Sequence, residues 1–199
     1  NDKTGKKKYK QIFPRFHQRR AVNRLIETLE NDGVGTNYLI YHSAGSGKSN
    51  TIAWLSHRLS GFYQSHNQSR PLFDSVIVVT DRRVLNRQIQ DTIHQFEQIP
   101  GVVVSIAEDD TAQDLKDAIE KGKRIIVTTL QKFPYIEEDI RNLPGKRFAI
   151  ILDEAHSSSS GEMTKSMKRV LNFNTEDDVE EEDPTWEDEI EEQIKSRGR

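Results

Sequence analysis

A short loop of small residues between an apolar run and a helical pattern is the most constraining feature of this sequence. The stretch reads YLIYHSAGSGKSNTIAWLSHRL and covers residues 38–59. The apolar run at 38–41 predicts a buried strand, and apolar residues return at helical spacing after Lys48. Gly45 and Gly47 allow backbone N–H groups to approach an anion without a Cβ in the way. The stretch therefore predicts a strand, an anion-binding loop and a helix in succession.

The residue types at the end of the loop fit the binding of a nucleoside triphosphate with Mg²⁺. Residues 42–49, hereafter the phosphate loop, match the pattern G-x-x-x-x-G-K-[ST] except that His42 replaces the first glycine. Lys48 would neutralise the β- and γ-phosphates, and the Ser49 hydroxyl would be a ligand of Mg²⁺. The free N–H groups of the following helix and its positive dipole end point to the same place. A loop that ends by chance in Gly-Lys-Ser is the alternative. We expect nucleotide contacts along the loop and the start of the helix, at Ala44, Gly45, Ser46, Gly47, Lys48, Ser49 and Asn50.

Apolar runs of strand length alternate with helical patterns along the rest of the chain. The runs lie at 75–80, 102–106, 124–129 and 147–153. The helical pattern after the run at 75–80 places five apolar residues on one face, namely Val84, Leu85, Ile89, Ile93 and Phe96. The helical pattern after the run at 102–106 begins with Thr111 as N-cap and ends with Gly122 as C-cap. This alternation predicts an α/β fold with a mostly parallel sheet and helices on both faces.

Composition and charge bound the class of protein. The chain has 199 residues, enough for one domain and an appendage. Its net charge of −3 argues neither for nor against binding of nucleic acid. It has no cysteine, which excludes disulfides and thiolate metal sites. No run is apolar enough to span a bilayer and no signal peptide opens the chain, so we expect a cytoplasmic protein without a membrane partner. Four histidines show no metal-like or catalytic grouping and are expected to be ordinary, namely His17, His57, His66 and His94.

Charge divides the chain into three parts. Residues 1–20 are strongly basic and residues 176–192 strongly acidic, and each end alone is typical of a solvated flank. We expect a basic flank at 1–10, one nucleotide-binding domain at 11–173 and an acidic tail at 174–199. The tail has few apolar residues, so we expect it to be partly disordered or to form a short helix.

A second motif supplies carboxylates. The stretch FAIILDEAH ends a predicted strand with Asp153, Glu154 and His156. Carboxylates at the carboxyl end of a strand in such a sheet lie on the ligand side. Asp153 would hold Mg²⁺ directly or through water, Glu154 would orient and deprotonate the attacking water, and His156 would link the site to something beyond it. A strand that simply ends in acids is the alternative, but the pairing with Gly-Lys-Ser favours nucleotide hydrolysis.

The two motifs together resemble those of superfamily 2 helicases and DNA translocases with a DEAH box. More specifically, five segments resemble, in order, the first motor domain of the restriction (motor) subunit of type I restriction enzymes. The resemblance covers about residues 11–172, and a histidine at the first position of the phosphate loop is normal in that group. The segments are FPRFHQRRAV, YHSAGSGKSNTIAWLSHRL, FDSVIVVTDRRVLNRQIQDTI, IIVTTLQKFP and RFAIILDEAHSSSSGE.

The resemblance implies a RecA-like lobe that uses ATP and Mg²⁺ and moves on double-stranded DNA. Gln18 would recognise adenine, against the alternative of a surface glutamine on a basic helix. Backbone contacts to one DNA strand would come from Thr80, Arg82, Arg83, Thr128 and Thr129, against the alternative of strand ends and a solvated helix start. Such contacts give affinity without sequence information, as a translocase needs. The implied protein partners are methyltransferase and specificity subunits.

Other parts of that family find no counterpart in the sequence. The family has a second lobe whose arginines complete the ATP site, and nothing after Glu154 resembles it. No Asp…Glu-x-Lys nuclease signature stands before residue 11, so the basic start would be a linker, and we interpret the chain as a fragment or truncated product with one lobe. The leading hypothesis is an ATP-binding lobe of a type I restriction translocase. The rivals are another superfamily 2 helicase, acting on RNA or repair DNA, and a nucleotide-binding module without turnover.

The resemblance also predicts the order of the sheet. In RecA-like lobes a later strand lies between the strand before the phosphate loop and the strand that carries the aspartate. No apolar run of strand length follows residue 153. The strands expected at 37–42 and 148–153 should therefore either leave a gap or pair with each other directly.

Overall fold

The computed structural model describes residues 12–65, 68–80, 83–97, 99–107, 109–135 and 145–153. The basic flank at 1–10 and the acidic tail at 174–199 lie outside these residues. The elements follow the chain in the order α1 (Phe16–Asp32), α2 (Lys48–Ser60), β1 (Ser75–Thr80), α3 (Arg83–Gln95), β2 (Val103–Ser105), α4 (Ala112–Glu120), β3 (Ile125–Thr129), a 3₁₀ helix (Leu130–Tyr135) and β4 (Phe148–Leu152).

Four parallel strands form the sheet, in the order β2-β3-β1-β4. Strand β1 is central, with Val76 opposite Ile125 of β3 on one side and Ala149 of β4 on the other. Because parallel strands end at one edge, Thr80, Thr129 and Asp153 lie at the same edge of the sheet. The prediction of a parallel α/β fold is confirmed.

The sheet is covered by apolar side chains on both faces. On one face, Val76 and Val78 of β1 share a buried cluster with side chains of α1, α2 and α3. On the other face, Ile77 and Val79 share a second cluster with Leu115 and Ile119 of α4. Strands β1 and β3 are therefore buried along their whole length, which explains why they read as continuous apolar runs instead of alternating ones.

Helices α3 and α4 form where the patterns predicted helices. Helix α4 ends at Glu120 with Lys121 as its C-cap, so the prediction of Gly122 as C-cap is wrong by one residue. The side chains of Val84 and Leu85 lie outside the described residues. Ile89 and Ile93 of α3 are buried, and Phe96 packs against the same cluster. Thr111 caps α4 in a capping box, because its side chain accepts from the Asp114 N–H while the Asp114 side chain accepts from the Thr111 N–H. Of the helices in the described residues, none has the length and apolar character needed to cross a membrane.

We expect Ile126→Val to lower the free energy of unfolding by roughly 0.5–1.5 kcal/mol, because it removes one methylene from a fully packed site. Ile126 is 0% exposed, in a strand that is paired on both sides. Ile99→Val is the matched control, since Ile99 is 68% exposed, and should change stability by less than about 0.5 kcal/mol. Urea unfolding measures both. Equal effects of the two substitutions would show that β3 is not in the core.

The predicted strand at 38–41 is wrong. These residues have no strand assignment, and all four side chains are exposed, Tyr41 by 90%. β4 pairs with β1 and, among the described residues, with no second strand, so the run before the phosphate loop and β4 do not form a ladder. Both expected arrangements assumed a strand at 37–42, and direct pairing of that run with β4 is not found in the described residues. The reason is that an apolar run becomes a strand only when a neighbour supplies hydrogen-bond partners and a surface to cover it.

Candidate nucleotide-binding site

The phosphate loop turns sharply into α2. Gly45 and Gly47 have φ angles of 73° and 89°, in the left-handed region that favours glycine. The Gly47 carbonyl accepts from the N–H groups of Asn50 and Thr51 at 3.1 and 3.2 Å, which starts the helix. Lys48 and Ser49 are therefore the first two residues of α2, where the helix presents its positive dipole end. The loop and helix predicted for this stretch are confirmed.

Gly47 also has no room for a side chain. A Cβ built at this position lies 2.5 Å from Nε2 of Gln18, whereas a Cβ at Gly45 meets nothing within 4 Å. Both positions have strained angles for other residues, but only Gly47 is in close contact with another part of the chain. The contact identifies Gln18 as a neighbour of the phosphate loop.

Gln18 makes two hydrogen bonds to the phosphate loop and a third to the N-cap of its own helix. Its Nε2 donates to the carbonyl oxygens of Gly47 at 2.9 Å and Ser46 at 3.3 Å, and its Oε1 accepts from the Arg15 N–H at 2.8 Å. The side chain is 2% exposed. The alternative of a surface glutamine is thus wrong, while recognition of adenine by Gln18 stays a prediction.

Two histidines join the same loop. Nε2 of His17 lies 3.1 Å from the Ser46 carbonyl oxygen, and because a carbonyl only accepts, this nitrogen donates. Nδ1 of His42 lies 3.2 Å from the Ser46 hydroxyl, and the two rings meet edge to face with centroids 5.7 Å apart. His17 was expected to be ordinary, and no spacing in the sequence points to a contact across 29 residues.

The other two described histidines of that group make contacts within the fold. His57 bonds the Ile93 carbonyl, and His94 bonds Glu97 and Ser105, both of which are structural contacts. His66 lies outside the described residues. Within the described part of the chain, no cluster of three or more His, Cys, Asp or Glu side chains has the grouping of a metal site.

The environment of His42 lowers its pKa below the ordinary value. Burial is the main cause, and electrostatic interactions with the neighbouring His17 and Lys48 side chains add to it. The folded chain therefore keeps His42 neutral at a pH where the unfolded chain already binds a proton. The sign follows: stability from this group is complete above the ordinary histidine pKa of about 6.5 and is lost as the pH falls below it.

We expect the free energy of unfolding to fall between pH 7 and pH 5 more steeply in the wild type than in His42→Gln. The glutamine keeps a polar side chain but cannot take up a proton in either state. Urea titrations at steps of half a pH unit give the two slopes, and their difference isolates His42 from the other titrating groups. Parallel slopes would contradict this assignment.

Asp153 ends the strand next to the centre of the sheet. Its backbone N–H donates to the Val79 carbonyl at 3.0 Å, and the residue is 7% exposed. The Asp153 carboxylate and the Ser49 hydroxyl are hard oxygen donors of the kind that Mg²⁺ prefers, and a carboxylate this buried favours a cation partner. The residues therefore fit a magnesium ion. Glu154 and His156 lie outside the described residues.

The threonines expected to contact DNA lie together at the carboxyl edge of the sheet but are buried. Thr80 and Thr128 are 0% exposed and Thr129 is 5% exposed, and the Thr80 hydroxyl donates to the Thr128 carbonyl at 3.4 Å. In the described structure these three residues therefore have little or no contact with solvent. Arg82 and the side chain of Arg83 lie outside the described residues, so DNA contact at all five positions stays a prediction.

Comparisons with known proteins agree with this geometry. A family described as SWI2/SNF2 ATPase matches residues 17–175. A protein of Methanocaldococcus jannaschii described as the MjaVIIIP endonuclease subunit of a type I restriction enzyme is 26% identical over 192 residues, covering 85% of this chain and 18% of that protein. The chain thus spans about a fifth of the length of this curated relative.

Two solved structures share the fold. The UvsW helicase from bacteriophage T4 has a TM-score of 0.54 and 16% identity, covering 82% of this chain and 50% of that one. A nuclease-deletion mutant of the Type ISP restriction-modification enzyme LlaGI, in complex with a DNA substrate mimic, has a TM-score of 0.54 and 17% identity, covering 74% of this chain and 15% of that one. The four-stranded parallel sheet with its helices is a RecA-like α/β lobe.

Proposed function

Because the chain belongs to the SWI2/SNF2 ATPase family, we propose that it is the ATP-binding lobe of a DNA translocase that acts in a type I restriction enzyme. In such an enzyme ATP hydrolysis pulls duplex DNA past the complex before cleavage. The likeness to a restriction subunit over 85% of the chain supports this assignment. The implied partners are double-stranded DNA and the methylation and specificity subunits.

The observation that carries the nucleotide half of this proposal is the geometry of the phosphate loop. Two glycines in left-handed conformations lead directly into the N-terminus of α2, with Lys48 and Ser49 in its first turn. Helix α2 packs against β1 and against β4, the strand that Asp153 follows. This arrangement offers N–H groups, a cation and two oxygen donors for a magnesium ion, as a triphosphate requires.

Each residue then has a distinct task. Lys48 binds the β- and γ-phosphates, Ser49 and Asp153 hold Mg²⁺, and Glu154 orients the attacking water and accepts its proton. His156 relays the state of the nucleotide to the DNA-binding parts. Mg²⁺, when bound, neutralises charge that develops on the phosphoryl oxygens. Gln18 reads adenine, and Thr80, Arg82, Arg83, Thr128 and Thr129 follow the DNA backbone.

Equilibrium titrations of the chain with nucleic acid test the DNA half. Duplex DNA, forked DNA and RNA of equal length are compared in the presence of a non-hydrolysable ATP analogue and Mg²⁺. We expect duplexes of unrelated sequence to bind alike, with an affinity that falls steeply as salt rises, because phosphate contacts release counterions. Preference for RNA or for the fork would favour another superfamily 2 helicase. A chain that binds the ATP analogue but none of the three nucleic acids would favour a nucleotide-binding module.

A further inference from the structure

The phosphate loop is held from outside by two neighbouring side chains of α1. Nε2 of His17 and Nε2 of Gln18 both donate to the Ser46 carbonyl, at 3.1 and 3.3 Å, and Gln18 also donates to the Gly47 carbonyl at 2.9 Å. One carbonyl oxygen has two lone pairs, so Ser46 accepts both bonds. These contacts join the first turn of α1 to the loop across 28 and 29 residues of sequence.

Holding these carbonyls sets the direction of the loop's N–H groups. A trans peptide is planar, and its C=O and N–H point to opposite sides. No peptide bond in the described residues is cis. The Ser46 carbonyl shares a plane with the Gly47 N–H, and the Gly47 carbonyl with the Lys48 N–H. With the Ser46 carbonyl turned toward α1, the Gly47 N–H points away from α1. The Gly47 carbonyl also accepts from the Asn50 and Thr51 N–H groups of α2, so the direction of the Lys48 N–H is set by α2 together with Gln18. Successive N–H groups in such a turn form a concavity that binds anions.

His42 completes the support around Ser46. Its Nδ1 meets the Ser46 hydroxyl at 3.2 Å, while its ring packs edge to face on His17 at 5.7 Å. The ring of His17 is thereby braced on one side and bonded to the loop on the other. A side chain held in this way loses little freedom when a ligand arrives, and pre-organisation of this kind lowers the cost of binding.

We propose that His17 is a positioning residue of the phosphate site, which acts with Gln18 to hold the Ser46 carbonyl so that the loop's N–H groups face the bound phosphates. This inference rests on the proposed binding of nucleotide at the loop. Its consequence is that His17 contributes to the affinity for the phosphate chain whatever base is attached. Gln18 has the same task here, in addition to any contact with adenine.

Three ligands of the full 199-residue chain separate positioning from base recognition: ATP, GTP and inorganic tripolyphosphate, each with Mg²⁺ and each measured by calorimetry. We expect His17→Ala to weaken all three by the same factor, about 2- to 12-fold, as for the loss of one hydrogen bond. His17→Gln keeps an N–H donor and should recover affinity to within about twofold of the wild type. His94→Ala is the matched control, since His94 bonds only Glu97 and Ser105 in the described structure and lies in α3.

The outcomes have distinct meanings. If His17→Ala weakens ATP alone, His17 serves the base and not the phosphates, which would overturn the proposal. If His17→Ala leaves all three affinities unchanged while Lys48→Ala clearly lowers them, the nucleotide site stands but the role of His17 is overturned. Equal losses in His17→Ala and His17→Gln would also overturn it, because the donor would not matter. A wild type that binds none of the three ligands would remove the proposed function itself. Urea unfolding of each variant separates these effects from a loss of fold.

Discussion

Replacement of Lys48 by alanine is expected to lower the affinity of the chain for Mg-ATP by roughly 10- to 150-fold. Lys48 stands at the first residue of α2, next to two left-handed glycine positions of the phosphate loop. Its ammonium would make charge-assisted hydrogen bonds to phosphate, and bonds of this class contribute roughly 1.5–3 kcal/mol. The alanine keeps the helix and removes only the charge and its reach.

A fluorescent ATP analogue, titrated with Mg²⁺ into both forms, measures the loss. Lys121→Ala is the matched control, because Lys121 is exposed and pairs with Asp117 in α4, away from the loop. The control should bind as the wild type does. If Lys48→Ala and Lys121→Ala bind the analogue equally well, the phosphate loop does not hold the triphosphate.

We expect the 199-residue chain by itself to hydrolyse ATP roughly 10³- to 10⁵-fold more slowly than a two-lobed motor, the factor that an arginine finger contributes in related phosphoryl transfer. The chain offers Lys48, Asp153 and Glu154. In the family that it resembles, the arginines that complete the ATP site come from a second lobe, and the five matching segments all belong to the first lobe. ATP binding and Mg²⁺ ligation would remain, but no arginine would stabilise the negative charge on the phosphoryl group during its transfer.

Phosphate release at saturating Mg-ATP, with and without duplex DNA, measures this turnover. Glu154→Gln is the reference for hydrolysis that does not come from this site, because the amide cannot accept the water's proton. Turnover of several per second that DNA does not change and Glu154→Gln abolishes would show that one lobe is sufficient.

Strands could be predicted from the sequence where a continuous apolar run also finds partner strands in the fold. The runs that became β1 and β3 are apolar except for Ser and Thr at their ends, and every position of both strands is buried. The same rule failed at 38–41, where equally apolar residues are exposed. Periodicity reports which side chains would be buried if a strand formed, but whether it forms depends on a partner strand that may lie anywhere in the chain.

The candidate site divides in the same way. The left-handed turns at Gly45 and Gly47 and the start of α2 at Lys48 could be predicted, because these features depend on eight consecutive residues. His17 could not, because its bond to Ser46 exists only once α1 packs beside the loop. The burial of Thr80 and Thr128 could not be predicted either. The sequence is the same whether the hydroxyl of a threonine at a strand end faces solvent or, as at Thr80, a neighbouring carbonyl.

The exposed apolar run before the phosphate loop has a consequence for the protein in solution. Leu39 is 55% exposed and Tyr41 90%, beside two other large apolar side chains. Within the described residues, β4 offers one unpaired edge of backbone donors and acceptors. An apolar, uncharged run together with an open strand edge is the combination from which intermolecular sheets grow. We therefore expect Leu39→Lys to act as a gatekeeper, with less aggregation than the wild type in light scattering at equal concentration.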